Sequence, residues 1–182
     1  MDTGIEWIVT EIDGKIASVS PDYRQFAQIA AILSTMTPSS VDSVRTRKIS
    51  TGGLITLGKE VSWDDLRIFG TPFRKNVYET LFKAERDHLR LISYTEMAAL
   101  CNNPGGARAV AHAIAVNPIA FIIPCHLVVP KESMDKIAAI RSLAERSTLF
   151  KGSDLYLLDS IDVGEYAFGS DLKREFIKIS LR

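Results

Sequence analysis

The spacing of apolar and polar positions changes along this chain, and the changes mark its elements. Over "IEWIVTEIDGKIASVS" the alternation is imperfect, but Asp13-Gly14 is a strong two-residue turn signal between arms rich in β-forming residues. The pattern predicts a β-hairpin. In "DYRQFAQIAAIL", Phe26, Ile29, Ala30 and Leu33 fall at helical spacing. "TMTPSSVDS" reads as a loop, and "TRKISTGGLITLG" as another short strand pair around Gly52-Gly53. Residues 1–62 are expected to form a small α+β unit with no evident chemistry.

The second half has a different texture. "TPFRKNVYETLFKA" offers Thr71 as an N-cap and Pro72 at the first helical position, with Phe73, Val77 and Leu81 as the buried stripe. "SYTEMAALC" opens on Ser93 and carries Glu96 three residues later, a capping-box pattern. "NNPGG" breaks that helix, "ARAVAHAIAV" starts another, and Asn117-Pro118 stops it. Two short helices around a tight turn suggest a helix-turn-helix, with Ala107–Val116 as its second element. On pattern alone, such a pair is more often plain packing than a DNA reader. "IAFIIP" predicts a buried strand or extended segment leading into Cys125. "SMDKIAAIRSLAERSTLF" predicts an amphipathic helix with Met134, Ile137, Ile140 and Ala144 on one face. "SDLYLLDSI" suggests a strand, and "GEYAFGSDLKREFIKISLR" a Gly-rich loop followed by a basic helix. The fold class is α+β: a small N-terminal α/β unit and a mostly helical C-terminal domain.

Composition narrows the function classes. Hydrophobic residues at 46% and charged residues at 24% fit a soluble globular protein with a real core. Lys+Arg and Asp+Glu are both 22, so the bulk charge gives no sign of nucleic-acid binding, while a local basic patch stays open. No apolar run approaches the ~20 residues of a membrane helix, and the N-terminus lacks the basic-then-apolar pattern of a secretory signal. Cys101 and Cys125 give no disulfide framework, which points to a reducing cytoplasm. His88, His112 and His126 have no zinc-like spacing with them, so no metal is expected.

The chemistry concentrates at Pro124-Cys125-His126. A thiol attacks as thiolate, so a free pKa of about 8.5 must fall for good reactivity near neutral pH. A nearby His takes the proton or stabilises the thiolate. Neighbours on a regular strand point to opposite faces, but Pro124 argues against a regular strand there. The run Asn117–His126 is otherwise apolar, and burial raises a thiol's pKa. Two alternatives follow. Cys125 is an inert buried residue, or His126 lies within hydrogen-bond reach and is itself oriented by a third group.

The ordered motifs resemble the O6-alkylguanine-DNA alkyltransferases, the methylated-DNA–protein-cysteine methyltransferases. "PCHLV" (Pro124–Val128) is similar to that family's Pro-Cys-His-Arg-Val, and "GTPFRKNVYETL" to its Gly-Thr-x-Phe-Gln-x-x-Val-Trp-x-x-Leu. "SYTEMAAL" resembles Ser-Tyr-Gly-Glu-Leu-Ala, and "NPGGARAVAHAIAVNPIAFIIPCH" tracks the family pattern without a gap. "GEYAFGSDLKREFI" resembles Gly-x-Tyr-x-x-Gly-x-x-x-Lys-x-x-Leu-Leu. The likeness is strong over residues 62–129 and moderate over 163–178.

The resemblance implies a repair protein that binds duplex DNA through the helix-turn-helix and flips the damaged base out of the stack. It would then move an alkyl group from guanine O6 to its own cysteine. Cys125 is then the acceptor, and His126 relays its proton through a water. Asn117 is the hinge that ties the recognition helix to the active-site turn. Arg108, flanked by Ala107 and Ala109 on the DNA-binding helix, enters the stack in place of the flipped nucleotide. Tyr94 helps rotate the target phosphate and base, and Tyr166, with Val128 and Ala167, forms the base pocket. Each molecule acts once, with no cofactor and no metal. The implied partner is double-stranded DNA containing alkylated guanine, bound by a cytoplasmic or DNA-associated monomer with no membrane contact. Residues 1–62 correspond to a ribonuclease H-like domain, and 63–182 to the DNA-binding and alkyltransferase domain.

Departures are also legible. Leu127 stands where the family has Arg, and an insertion at about 130–161 replaces a short turn. His112 replaces a small Gly-like position, Ala115-Val116 are apolar for a DNA-facing end, and Phe168 takes a position often held by Gly or Trp. The family's relay ends on a Glu that orients the His; here Ser180 lies near that place, and Glu175 falls about a turn early on another helix face. Residues 62–126 carry 7 Lys+Arg and 6 Asp+Glu, which predicts weak, salt-sensitive DNA binding. The alternatives to an active transferase are a degenerate relative that binds alkylated DNA or a partner without transfer, and an unrelated Cys-His hydrolase. The last has no oxyanion-hole motif behind it.

Overall fold

The computed structural model describes residues 5–21, 43–87, 90–145 and 158–181. It divides into two compact units, Met1–Phe82 with Asn117–Pro124, and Lys83–Val116 with Cys125–Arg182.

The first unit holds a three-stranded antiparallel sheet of order β2-β1-β3, made of β1 (Glu6–Ile12), β2 (Lys15–Ser20) and β3 (Val44–Ser50). The expected hairpin is β1–β2. Asp13 and Gly14 both take positive φ (51° and 76°), as a two-residue turn matched to strand twist requires. The imperfect alternation has a cause: the register shifts between Thr10 and Glu11, which places Thr10 beside Val9 among the buried positions. Trp7, Val9 and Ile12 of β1 and Ile16 and Val19 of β2 are buried. The Trp7 indole N–H donates to the Thr51 hydroxyl at 3.1 Å. The segment "DYRQFAQIAAIL" lies outside the described residues.

The strand pair expected around Gly52-Gly53 is corrected. β3 is a strand, but Thr51–Glu60 is a helix, α1. The Ser50 hydroxyl accepts the Gly53 N–H at 3.1 Å, an N-cap that starts the helix at the glycines. Thr51 and Leu54 then fall one turn apart and are buried. Helix α2 (Pro72–Asp87) begins as the sequence predicts, with the Thr71 hydroxyl accepting the Arg74 N–H at 3.3 Å. Val77 and Leu81 are buried and Phe73 is half-buried; Tyr78 and Phe82 form a second buried row.

The run Ile119–Pro124 is buried but is not a strand. Asn117 explains why. Its side-chain oxygen accepts the Ile119 N–H at 3.0 Å, and its amide donates to the Ile123 carbonyl at 3.1 Å. The chain between them folds into a turn with Phe121 at φ 68° and an Ala120–Ile123 bridge. An apolar run gives no hint of this, because its local bonds come from the polar residue at its start.

The second unit is mostly helical. Ser93 caps α3 (Tyr94–Leu100) by accepting the Glu96 N–H at 3.1 Å. Glu96 does not complete the expected capping box; its carboxylate pairs with Arg90 at 2.6 Å. Helix α4 (Ala107–Ala115) packs on α3 in the predicted helix-turn-helix order. The turn is so tight that a Cβ on Gly106 would lie 2.2 Å from the Asn103 amide nitrogen. A two-residue parallel pairing joins β4 (Ile92–Ser93) to β5 (Val128–Val129). Helix α5 (Lys131–Glu145) buries Ile137 with Met134 and Ile140 half-buried; Ala144 lies outside the described side chains. Of the strand expected over "SDLYLLDSI", the first five residues lie outside the described set, and Leu158–Ser160 form a helical turn. Helix α6 (Ser170–Ser180) closes the fold, as the basic C-terminal pattern predicts. No helix among the described residues is long and apolar enough to cross a membrane.

Candidate active site

Cys125 and His126 begin a single 3-10 turn, Cys125–Leu127, which runs directly into β5. All three side chains are buried. The turn resolves the geometric objection to adjacent catalytic residues, because successive side chains on it no longer alternate across a strand. The parallel pairs Ile92–Val128 and Ser93–Val129 then fix this segment beside the start of α3. That register brings Tyr94, the first residue of α3, into electrostatic range of Cys125.

Helix α6 contacts the 3-10 turn from another side. Lys173, Phe176, Ile177 and Ser180 repeat at helical spacing and form its buried face. His126 Nε2 and the Ser180 hydroxyl oxygen are 2.8 Å apart. The His126 ring leans on Phe176, with centroids 5.6 Å apart and planes tilted by 60°. Phe176 in turn meets Tyr166 edge-on at 6.4 Å, and Tyr166 meets Phe168 edge-on at 5.5 Å. The Lys173 ammonium donates to the Val128 carbonyl at 2.8 Å. Glu175 pairs with Lys178 at 3.3 Å, in keeping with its expected place off the relay face.

The loop before α6 brings in Tyr166. Gly164 takes φ +75°, and a Cβ there would lie 3.2 Å from Pro130 Cδ and 3.4 Å from the Tyr94 hydroxyl. Only glycine allows the backbone this close, which explains the first residue of the Gly-x-Tyr pattern. The Tyr166 hydroxyl is buried and lies beside Cys125.

The charges organise around Cys125. Burial lowers the His126 pKa to about 3, and the neighbouring Lys173 adds to the shift, so the imidazole is neutral at physiological pH. Burial lowers Lys173 to about 8, opposed by attraction to Cys125 and Asp162. Lys173 therefore stays largely cationic at neutral pH. Tyr166 is raised well above its ordinary value, first by burial and then by Cys125. Tyr94 is raised by burial, then by Cys125, Asp162 and Glu165. Both phenols are thus kept protonated, as hydrogen-bond donors.

Leu127, the departure from Arg, is explained by the insertion. It is 3% exposed and packs in one cluster with Val129, Ile137, Leu158, Ile161, Val163 and Ile177. Helix α5 and the segment after it supply Ile137, Leu158 and Ile161 to that cluster. The returning segment is held by Arg174, which donates to the Leu158 and Ile161 carbonyls, and by Ser133, which donates to the Asp162 carbonyl. An Arg side chain would have to bring its charge into this apolar cluster.

The other expected site residues fall as follows. Arg108, Ala109, His112 and Ala115 are exposed along α4, with Ala107 half-buried, while Val110, Ala113 and Ile114 are buried on the opposite side. Asn117 holds the Ile119–Ile123 turn in the first unit. Val128 is buried and Ala167 is exposed. Lys173 lies in the Gly-x-Tyr motif segment, but the motif alone gives it no role. Its signal is the i, i+3, i+7 spacing with Phe176 and Ser180. Among the described residues no group of three His, Cys, Asp or Glu side chains is placed to hold a metal ion.

Residues 72–146 match the family described as 6-O-methylguanine DNA methyltransferase, DNA binding domain. A probable methylated-DNA–protein-cysteine methyltransferase of Acanthamoeba polyphaga mimivirus is 41% identical over 69 residues, covering 38% of this chain and 45% of that protein. The Haemophilus influenzae methylated-DNA–protein-cysteine methyltransferase is 41% identical over 63 residues, 35% of this chain and 34% of that protein. The matched region thus spans less than half the length of these curated relatives. Two solved structures share the fold. The O6-methylguanine-DNA methyltransferase of Pyrococcus kodakaraensis aligns with a TM-score of 0.54 at 20% identity, over 96% of this chain and 91% of that one. The Mycobacterium tuberculosis O6-methylguanine methyltransferase aligns with a TM-score of 0.50 at 21% identity, over 92% and 81%. Residues 72–146 of the chain thus carry the DNA-binding domain of the 6-O-methylguanine DNA methyltransferase family.

Proposed function

We propose that this protein repairs DNA by moving an alkyl group from O6 of guanine to the sulfur of Cys125, once per molecule. The observation that carries the reading is the convergence of Tyr94, Tyr166 and Lys173 on the buried Cys125, within a domain of this family. The Cys125 thiolate attacks the alkyl carbon, a C–S bond forms, and the bond from that carbon to O6 breaks. The bonding pair passes to the guanine, which takes up one proton, so the thiol proton and the alkyl group exchange owners. The protonated phenols of Tyr94 and Tyr166 suit donation toward a developing negative charge on the base. A thioether has no low-barrier route back to thiol, hence the single turnover.

DNA would be held by the exposed face of α4 carrying Arg108, with Ala107 and Ala109 small enough for close approach. The target base must leave the stack to reach a buried sulfur. The catalytic region in this reading is residues 63–182, with Asn117 holding the turn that leads into Cys125.

The test is incubation with duplex DNA carrying one O6-methylguanine, followed by peptide mass spectrometry. One added methyl group on Cys125 and loss of the lesion are expected; a Cys125 peptide without added mass, with the lesion intact, overturns the reading. One observation favours a second reading, binding without transfer: a neutral Ser180 stands at the end of the His126 relay. That reading predicts lesion-dependent gel shifts that survive Cys125→Ala, with no alkylation of the wild type.

A further inference from the structure

We propose that Ser180 is the positioning residue of this site, and that Lys173 rather than His126 supplies the positive charge facing the Cys125 thiolate. The inference rests on Cys125 being the working nucleophile, but none of its tests needs DNA.

The geometry comes from one helix face. Lys173 and Ser180 lie two turns apart on α6, with Phe176 and Ile177 between them, all buried against the 3-10 turn that carries Cys125 and His126. A neutral imidazole has one N–H and one acceptor nitrogen, and a partner at either nitrogen fixes the role of the other. Ser180 is the partner of Nε2, at 2.8 Å. When its hydroxyl oxygen accepts the Nε2–H, Nδ1 is the acceptor, which is the tautomer able to receive a thiol proton. A hydroxyl can hold the ring in this way, but it carries no charge to balance an imidazolium.

That balance is therefore absent at Ser180, and the surroundings add to the effect. His126 is wholly buried, leans on the Phe176 ring and feels Lys173 as a like charge. A cationic His126 beside a cationic Lys173 in such a place is disfavoured. Lys173 is anchored by the Val128 carbonyl and attracted by Cys125. The groups facing Cys125 are then Tyr94 from α3, Tyr166 from the loop and Lys173 from α6, with Asp162 and Glu165 acting on Tyr94, and Asp162 also on Lys173. Among the described residues, Lys173 is the cation of that set. Ionisation breaks the Cys125 S–H bond and leaves the electron pair on sulfur. His126 Nδ1 takes the proton and returns to the neutral form as the proton reaches solvent, while the Lys173 ammonium stays as counter-charge.

The experiment uses the full chain, nitrogen-15 NMR of His126, and peptide-resolved alkylation of Cys125 by iodoacetamide as a function of pH. The wild type is expected to show a neutral, Nε2-protonated His126 from pH 5 to 9. Ser180→Ala should mix the tautomers and slow Cys125 alkylation about tenfold, a part of the roughly hundredfold or more that a positioned proton acceptor contributes. Ser180→Thr should restore both. Lys173→Met should move the Cys125 midpoint up by about one unit, as loss of a nearby opposite charge does. Should that variant fail to fold, the wild type still answers: blocking Cys125 with iodoacetamide removes the thiolate, and the Lys173 pKa should drop. A cationic His126 at pH 6, an unmoved tautomer in Ser180→Ala, or a Lys173 pKa indifferent to blocking overturns the inference. Failure of methyl transfer with these results intact would overturn only the repair function.

Discussion

His126 Nε2 and Ser180 Oγ lie 2.8 Å apart although 54 residues separate them in the chain. The contact joins the turn that carries Cys125 to the last residue of the C-terminal helix. Both partners are buried, so the imidazole sits where a proton is costly to add.

Acid should therefore destabilise the fold through His126. In the unfolded chain this residue binds a proton near its ordinary pKa of 6.5, while in the fold it resists until about 3. Between those values the unfolded state holds more protons, so stability falls as the pH drops through that window. Urea midpoints measured from pH 7 to 4 should decline less steeply in His126→Asn than in the wild type.

Lys173 acts at the other end of the scale. Its folded pKa of about 8 lies below its ordinary 10.5, so the unfolded state again binds more protons between the two values. Its contribution makes the fold more stable as the pH rises from about 8 toward 10.5. The difference in urea midpoint between wild type and Lys173→Met should shift in favour of the wild type over that range. A difference that stays constant would count against the assignment.

Leu127→Arg restores the family residue and should be harmful in this chain. It drives a guanidinium into the cluster of Ile137, Leu158, Ile161, Val163 and Ile177. A loss of about 3 kcal/mol or more is expected, as for other unpaired buried charges. Chemical denaturation checks it; an unchanged midpoint would show that the cluster opens to solvent at that position.

Asn117→Ala leaves the Ile119 N–H and the Ile123 carbonyl without their side-chain partner. Each buried unpaired group costs about 1–3 kcal/mol. The expected result is a clear loss of stability together with faster amide exchange at Ile119, read by hydrogen-exchange mass spectrometry.

Arg108→Ala tests the proposed DNA face. Arg108 is exposed on α4 among small residues. If it meets a phosphate, its removal weakens binding and lowers the salt slope of log K by about one. Fluorescence anisotropy across a salt series measures both; equal slopes would place the DNA elsewhere.

Much of the second unit was legible because caps and turns are local. Thr71, Ser93 and the glycine turn before Ala107 each announce a helix by chemistry that acts within a few residues. The misreadings came where a local signal has two uses. Gly52-Gly53 resembles a hairpin turn, yet Ser50 turns the same pair into a helix start. The apolar run Ile119–Ile123 resembles a strand, yet Asn117 folds it back. At the site, the motifs placed Cys125, His126 and Tyr166. The charge distribution was not legible, because the fall in the Lys173 and His126 pKa values depends on how completely α6 is covered. Leu127 looked like a lost charge, and only the packing of α5 and the segment after it shows a position that has become core.

The four-residue parallel ladder between Ile92-Ser93 and Val128-Val129 has a mechanical consequence. Ser93 both ends β4 and caps α3, while Val128 follows the Cys125–Leu127 turn and accepts the Lys173 hydrogen bond. The first turn of α3 and the Cys125–Leu127 turn are therefore each one residue from the same parallel pairing, so Tyr94 and the sulfur share one backbone frame with no loop between them.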